Sequence, residues 1–128
     1  MNITFLLELK WCGYLYLEDL LKRLPNGLDG NLGEEGINLS GGEIQRIGLC
    51  RALIYDPEVL FLDEATSALD INTESQILDE LKLFQEKTII SIAHRLNSLK
   101  YSDIIYYISN GKLLDQGNFK KFKLAEQN

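Results

Sequence analysis

Leu39-Ser40-Gly41-Gly42-Glu43-Ile44-Gln45-Arg46 and Val59-Leu60-Phe61-Leu62-Asp63-Glu64 are the two stretches that decide how this chain folds. The first opens a helix. Ser40 followed three residues later by Glu43 is a capping box, in which each side chain satisfies the other's backbone N–H. Gln45, Arg46 and Arg51 are the only polar side chains from Ile44 to Ile54, so the helix is expected to be buried on most sides. Asp56-Pro57 ends it. The second stretch is an apolar run too short for a helix. It predicts a core strand buried on both faces and finished by two carboxylates.

Outward from these, residues 72–84 read as an amphipathic helix with Ile77, Leu78, Leu81 and Phe84 on one side. Thr88-Ile89-Ile90-Ser91-Ile92-Ala93 reads as a second, β-branched strand. The connection between the strands exceeds the ~12 residues a parallel crossover needs, so the unit is a βαβ. Residues 103–109 and 112–116 flank Asn110-Gly111 and predict a hairpin on a type I′ turn. The tail from Phe119 predicts a short, frayed helix. On the N-terminal side, apolar residues from Ile3 to Leu24 recur at helical spacing until Pro25-Asn26-Gly27. Gly27, Gly30, Gly33 and Gly36 then mark a loop. Their spacing is not a dinucleotide fingerprint, and no strand precedes them.

The 128 residues suit one domain or part of one, with an ordinary balance of 45% hydrophobic and 25% charged residues. A net charge of −6 argues against a nucleic-acid partner. It also means that any anion must be bound by local geometry. The two cysteines, Cys12 and Cys50, have no metal or disulfide spacing, and Cys50 reads as a small core residue. The longest clean apolar run, Trp11 to Leu17, falls far short of the ~18 residues of a spanning helix, and no basic segment precedes Ile3 as a signal peptide requires. Direct membrane insertion is therefore not expected.

In an open parallel sheet, ligands bind beyond the carboxyl ends of the strands. Asp63 and Glu64 end the first strand, and His94, the only histidine, follows the second. Three titratable groups therefore converge on one edge if the strands are neighbours. Asp63 suits a hydrated Mg²⁺. Glu64 suits proton abstraction from a water, and His94 suits a hydrogen bond to a phosphate oxygen. The start of the helix at Ser40 is a second anion site, because first-turn N–H groups are unpaired and carry partial positive charge. A plain cap explains Ser40 and Glu43. It does not explain two glycines in the first turn, each costing roughly 1 kcal/mol against alanine. Close approach to a ligand is the expected compensation.

These residues resemble the ATPase domains of ABC transporters. Residues 39–46 resemble the signature motif, Leu60-Phe61-Leu62-Asp63-Glu64 the Walker B strand, Ser67-Ala68-Leu69-Asp70 the D-loop, and Ile92-Ala93-His94-Arg95 the switch-histidine segment. Leu24 to Gly27, Gly33 to Gly36 and the Asn110 to Gly117 hairpin look like the exporter branch. The resemblance implies an α/β, partial P-loop NTPase fold. Residues 1–38 would be the remainder of a helical subdomain with its Gly-rich loop, and residues 39–128 the C-terminal part of the ATPase core. It implies ATP and Mg²⁺ as cofactors. Asp63 would contact the metal, Glu64 would be the general base, and His94 would contact the γ-phosphate. Ser40, Gly41 and Gly42, capped by Glu43, would bind the γ-phosphate of ATP held by a second ATPase domain in a head-to-tail dimer, and Asp70 would couple the two sites.

Glu43 departs from the glutamine often found there, though either completes a capping box. The sequence contains no G-x-x-x-x-G-K-[S/T] phosphate loop, and its one Gly-Lys pair, Gly111-Lys112, is followed by leucine. The expectation is a C-terminal fragment of an exporter's ATPase domain, which would sit with transmembrane transporter domains at the cytoplasmic face of the membrane and be inactive alone. The rival expectation is a non-catalytic module that offers residues 40–42 to a complete ATPase in trans. A DNA-directed ATPase of the same superfamily fits the acidic charge poorly.

Overall fold

The computed structural model describes residues 11–24, 38–82 and 86–126. The expected glycine loop, Phe84 and the first ten residues lie outside them. The first described elements are two short helices, α1 (Trp11–Tyr14) and α2 (Glu18–Arg23). The helical pattern read as running to Leu24 is thus broken by a turn. Tyr16 adopts a left-handed φ of 55°, and its N–H donates to the Gly13 carbonyl at 3.2 Å. That reversal sends both flanking leucines, Leu15 and Leu17, into the core. Uninterrupted helix would place residues two apart on different faces.

Next come α3 (Gly41–Ile54), β1 (Val59–Asp63), α4 (Ile71–Leu81) and β2 (Thr88–Ile92). The two strands pair in parallel, Val59 against Thr88 through Asp63 against Ile92, as the βαβ reading requires. A turn of 3-10 helix (Leu96–Leu99) leads to an antiparallel hairpin of β3 (Ile105–Ser109) and β4 (Lys112–Gly117), then α5 (Phe119–Glu126). Asn110 at φ 50° and Gly111 at φ 71° give the hairpin turn the two positive φ angles of type I′.

One apolar cluster joins Leu15, Leu17 and Leu20 to Cys50 and Leu53 of α3, Leu60 and Leu62 of β1, and Ile77 and Leu81 of α4. Two expectations need correction here. The strand β1 is covered on one face only: Leu60 and Leu62 are buried, whereas Val59 and Phe61 are exposed. Among the described residues, helices pack on the Leu60–Leu62 side alone. The α3 helix is likewise half-covered. Ile47, Leu49, Cys50 and Leu53 are buried, but Ile44 and Arg51 face outward. Among the described residues, no helix is long and apolar enough to cross a membrane.

Candidate functional site

The chemistry sits where the β1–β2 ladder ends. Asp63 is the last residue of β1 and pairs with Ile92, two residues before His94. One further bond, from the Glu64 N–H to the Ile92 carbonyl at 3.0 Å, carries the pairing past the strand end. The Glu64 backbone then turns left-handed, φ 48°. Its carboxylate oxygen Oε1 meets Nε2 of His94 at 2.8 Å. The structure therefore brings together two of the three groups expected at this edge, with both side chains open to solvent. Asp63 stands beside them, exposed. Among the described residues, no group of three or more acidic, histidine or cysteine side chains is arranged to hold a metal by itself. The exposed carboxylate of Asp63 is of the type that Mg²⁺ takes, one or two at a time, with water and phosphate completing its shell.

The loop after Glu64 is held from below. Gln45 of α3 donates through Nε2 to the Glu64 carbonyl at 3.1 Å and to the Ser67 hydroxyl at 2.9 Å, while its Oε1 accepts the Ala68 N–H at 2.8 Å. Asp70 ends the loop as the cap of α4. Its carboxylate accepts from the N–H groups of Asn72 and Thr73 and from the Thr73 hydroxyl. The Thr73 hydroxyl and those N–H groups hold the Asp70 carboxyl below its ordinary pKa.

The capping box at the start of α3 is complete. The Ser40 hydroxyl accepts the Glu43 N–H at 3.2 Å, and the Glu43 carboxylate accepts the Ser40 N–H at 2.8 Å. Glu43 also pairs with Arg23 of α2. Burial pushes the Glu43 carboxyl up, but the Ser40 bonds together with Arg23 and Arg46 outweigh it and bring its pKa below the usual range. Glu43 is thus engaged within the chain. Ser40 and Gly41 stand open to solvent, and first-turn N–H groups have no intrahelical acceptor.

One of the paired glycines, Gly42, has a reason beyond any ligand. A Cβ on Gly42 would lie 3.1 Å from Leu69 Cδ2 and 3.4 Å from the Ala68 carbonyl. A Cβ on Gly41 would lie 3.4 Å from the Ala68 Cβ, an ordinary contact. Gly42 therefore lets α3 approach the loop 64–70, whereas at Gly41 a Cβ would make only an ordinary contact. The two halves of the site are thereby one construction: the helix that opens at Ser40 and the loop that carries Glu64 pack directly on each other.

A further cluster escaped the sequence reading. Glu74 of α4 is buried, with Thr66, Ser98 and Arg95 around it. Arg95 also donates to the carbonyls of Ser67 and Leu69, each at 3.1 Å. These partners lie far apart in the chain, so no local spacing announces them. Arg95 beside His94 and Gln45 within the Leu39–Arg46 block were visible as residues but not as ties.

Similarity to known proteins agrees with this fold. The family model described as ABC transporter matches residues 15–67. P-glycoprotein 14 of Caenorhabditis elegans is 50% identical over 99 residues, covering 77% of this chain and 8% of that protein. The ATM1-type heavy metal exporter of Novosphingobium aromaticivorans is 46% identical over 103 residues, covering 80% of this chain and 17% of that one. A solved structure of a bacterial Atm1-family ABC exporter with ATP bound superposes with a TM-score of 0.79 at 36% identity. It covers 98% of this chain, which in turn spans 23% of that structure's chain. The chain thus spans between 8 and 17% of the length of these two curated relatives.

Proposed function

The chain belongs to the ABC transporters, as part of an exporter-type nucleotide-binding domain, and on that footing we propose that it supplies the hydrolytic edge and the signature surface of an ATPase that drives export. The observation that carries this reading is the 2.8 Å contact of Glu64 with His94 at the carboxyl ends of two parallel strands. In it, Glu64 is the general base that takes a proton from the attacking water, and His94 orients Glu64 and a γ-phosphate oxygen. Asp63 would hold Mg²⁺ through water. Ser40, Gly41 and Gly42 would receive the γ-phosphate of ATP bound by a second ATPase domain, with Glu43 fixing the cap and Asp70 the loop between the two sites. Residues 1–38 would belong to the helical subdomain and residues 39–128 to the ATPase core. The assembly would include transmembrane transporter domains and lie at the cytoplasmic face of a membrane.

In an assembly of this chain with an ATP-binding partner, Glu64→Gln should lower hydrolysis by ~10²- to 10⁴-fold while leaving ATP binding intact. Unchanged hydrolysis would remove Glu64 from the role.

A second reading is favoured by the exposure of Ser40 and Gly41 at the start of α3. The chain would then act as a non-catalytic module that completes another domain's ATP site. Gly41→Asp tests it better than Gly42→Asp, because Gly42 is already tight against Leu69. If Gly41→Asp abolishes ATP-dependent association with a complete ATPase domain while Glu64→Gln changes no rate, the second reading stands.

A further inference from the structure

Glu74 is a buried carboxylate, 4% exposed, that the proposed chemistry does not use. Its two oxygens do different things. Oε1 accepts both the Thr66 hydroxyl and the Ser98 hydroxyl, each at 2.6 Å. Oε2 accepts from the Arg95 guanidinium at 3.2 Å. Thr66 follows Glu64 by two residues, and Ser98 follows His94 by four. A single oxygen atom therefore joins the loop leaving β1 to the segment leaving β2. Arg95 makes a second join, since the same guanidinium reaches the Ser67 and Leu69 carbonyls.

The sheet alone does not fix this geometry. Its ladder stops at Asp63 and Ile92, with one more bond from the Glu64 N–H. Beyond that point Glu64 holds a left-handed φ, a conformation that persists in a non-glycine residue only where its surroundings impose it. A carboxylate suits the junction because it accepts on both oxygens and donates on neither. A glutamine would put a donor on one of the two sides, toward Arg95 or toward the two hydroxyls. An aspartate would fall one methylene short.

We propose that Glu74 and Arg95 are positioning residues, which keep Glu64 and His94 in contact by tying the loop 64–70 to the segment 94–99 through the Thr66–Glu74–Ser98 bridge and the Arg95 fork. The proposal rests on reading the Glu64–His94 contact as functional, but that contact can be followed without catalysis. The chain has one histidine, so the imidazole signals in a ¹H–¹³C NMR spectrum of the full chain belong to His94. Glu64→Gln should shift them in the parent protein.

Ser98→Ala combined with Arg95→Gln cuts the ties to the second segment and leaves Thr66 on Glu74. In that background the shift produced by Glu64→Gln should shrink to under about half, following double-mutant logic. Ser98→Ala alone removes one hydroxyl, keeps the fold and should give an intermediate loss, which decides the matter if the double variant does not fold. Arg95→Lys should fail to restore the shift, because a lysine cannot bond two carbonyls and a carboxylate in a fixed fork. An undiminished Glu64-dependent shift in a folded double variant, or in Ser98→Ala if only that folds, overturns the proposal and leaves the functional reading standing. A parent His94 signal indifferent to Glu64→Gln overturns both.

Discussion

The two faces of the β1–β2 pair carry the same kind of residue and meet opposite surroundings. Leu60 and Leu62 are buried against helices, while Phe61, one position away, is 72% exposed and Ile92 is 58% exposed. Alternation along a strand sends neighbours to opposite faces, so an apolar run states that both faces are able to be buried. It does not state what covers them. The covered face anchors the loop that carries Glu64. From it the loop 64–70 is drawn down onto α3 and α4 by Gln45, Glu74 and Arg95. The open face, by contrast, joins Val59, Phe61, Ile90 and Ile92 in an apolar surface of the kind that marks an interaction or an aggregation site.

The contrast is broken most directly at the covered face. Leu62→Ala should cost about 3 kcal/mol, within the range for a buried leucine that leaves a cavity. Denaturant titration with an unchanged slope is the measurement. A cost under about 1 kcal/mol would mean that this face is not a packed core.

Glu74 comes next. Glu74→Ala leaves the Thr66 and Ser98 hydroxyls without their acceptor and should cost about 2 kcal/mol. Burial raises the Glu74 carboxyl, but the Ser98 and Thr66 hydroxyls and Arg95 outweigh it, so its folded pKa lies below the usual glutamate value of 4.5. The unfolded chain therefore binds this proton first. The stabilisation is complete above pH 4.5 and is lost as acid drives the pH through the depressed folded value. Glu74→Gln should flatten part of the acid limb of a stability–pH curve. Asp19, Glu43, Asp70, Asp79 and Asp115, lowered in the same direction, contribute to the remainder of it. An acid limb identical to the parent's would show that Glu74 is not ionised and bridged in solution.

A smaller effect is expected at the capping box. Ser40→Ala removes the acceptor of the Glu43 N–H and should cost about 1 kcal/mol. Ser40→Gly should cost only a few tenths, because a glycine cap leaves the N–H groups open to water. That box was legible in the sequence because cap and partner lie three residues apart. The Asn110-Gly111 turn was legible for the same local reason, and the βαβ unit because strand and helix periods differ. Gln45, Glu74 and Arg95 were not. Glu74 reaches partners 21 and 24 positions away, and such pairs follow from the fold rather than announce it. The packing role of Gly42 was hidden likewise: its neighbour Leu69 is set by tertiary approach. The candidate groups Asp63, Glu64 and His94 were readable because strand ends in a parallel sheet share an edge. The ties that hold them there arise only from tertiary approach.

The smallest effect on stability is expected at the open face, and it tests the comparison from the other side. Phe61→Ser replaces a largely exposed ring by a small polar group. Little apolar area leaves a packed environment, so unfolding free energy should change by under about 0.5 kcal/mol. Self-association should respond more strongly, because the ring stands at the centre of an apolar surface formed with Val59, Ile90 and Ile92. Sedimentation velocity over a range of concentrations separates the two quantities. Unchanged stability with weaker association means that the two faces differ as described. A loss comparable to that of Leu62→Ala means that in solution the second face is packed as well, and that the site-bearing loop then has supports on both sides of the strands.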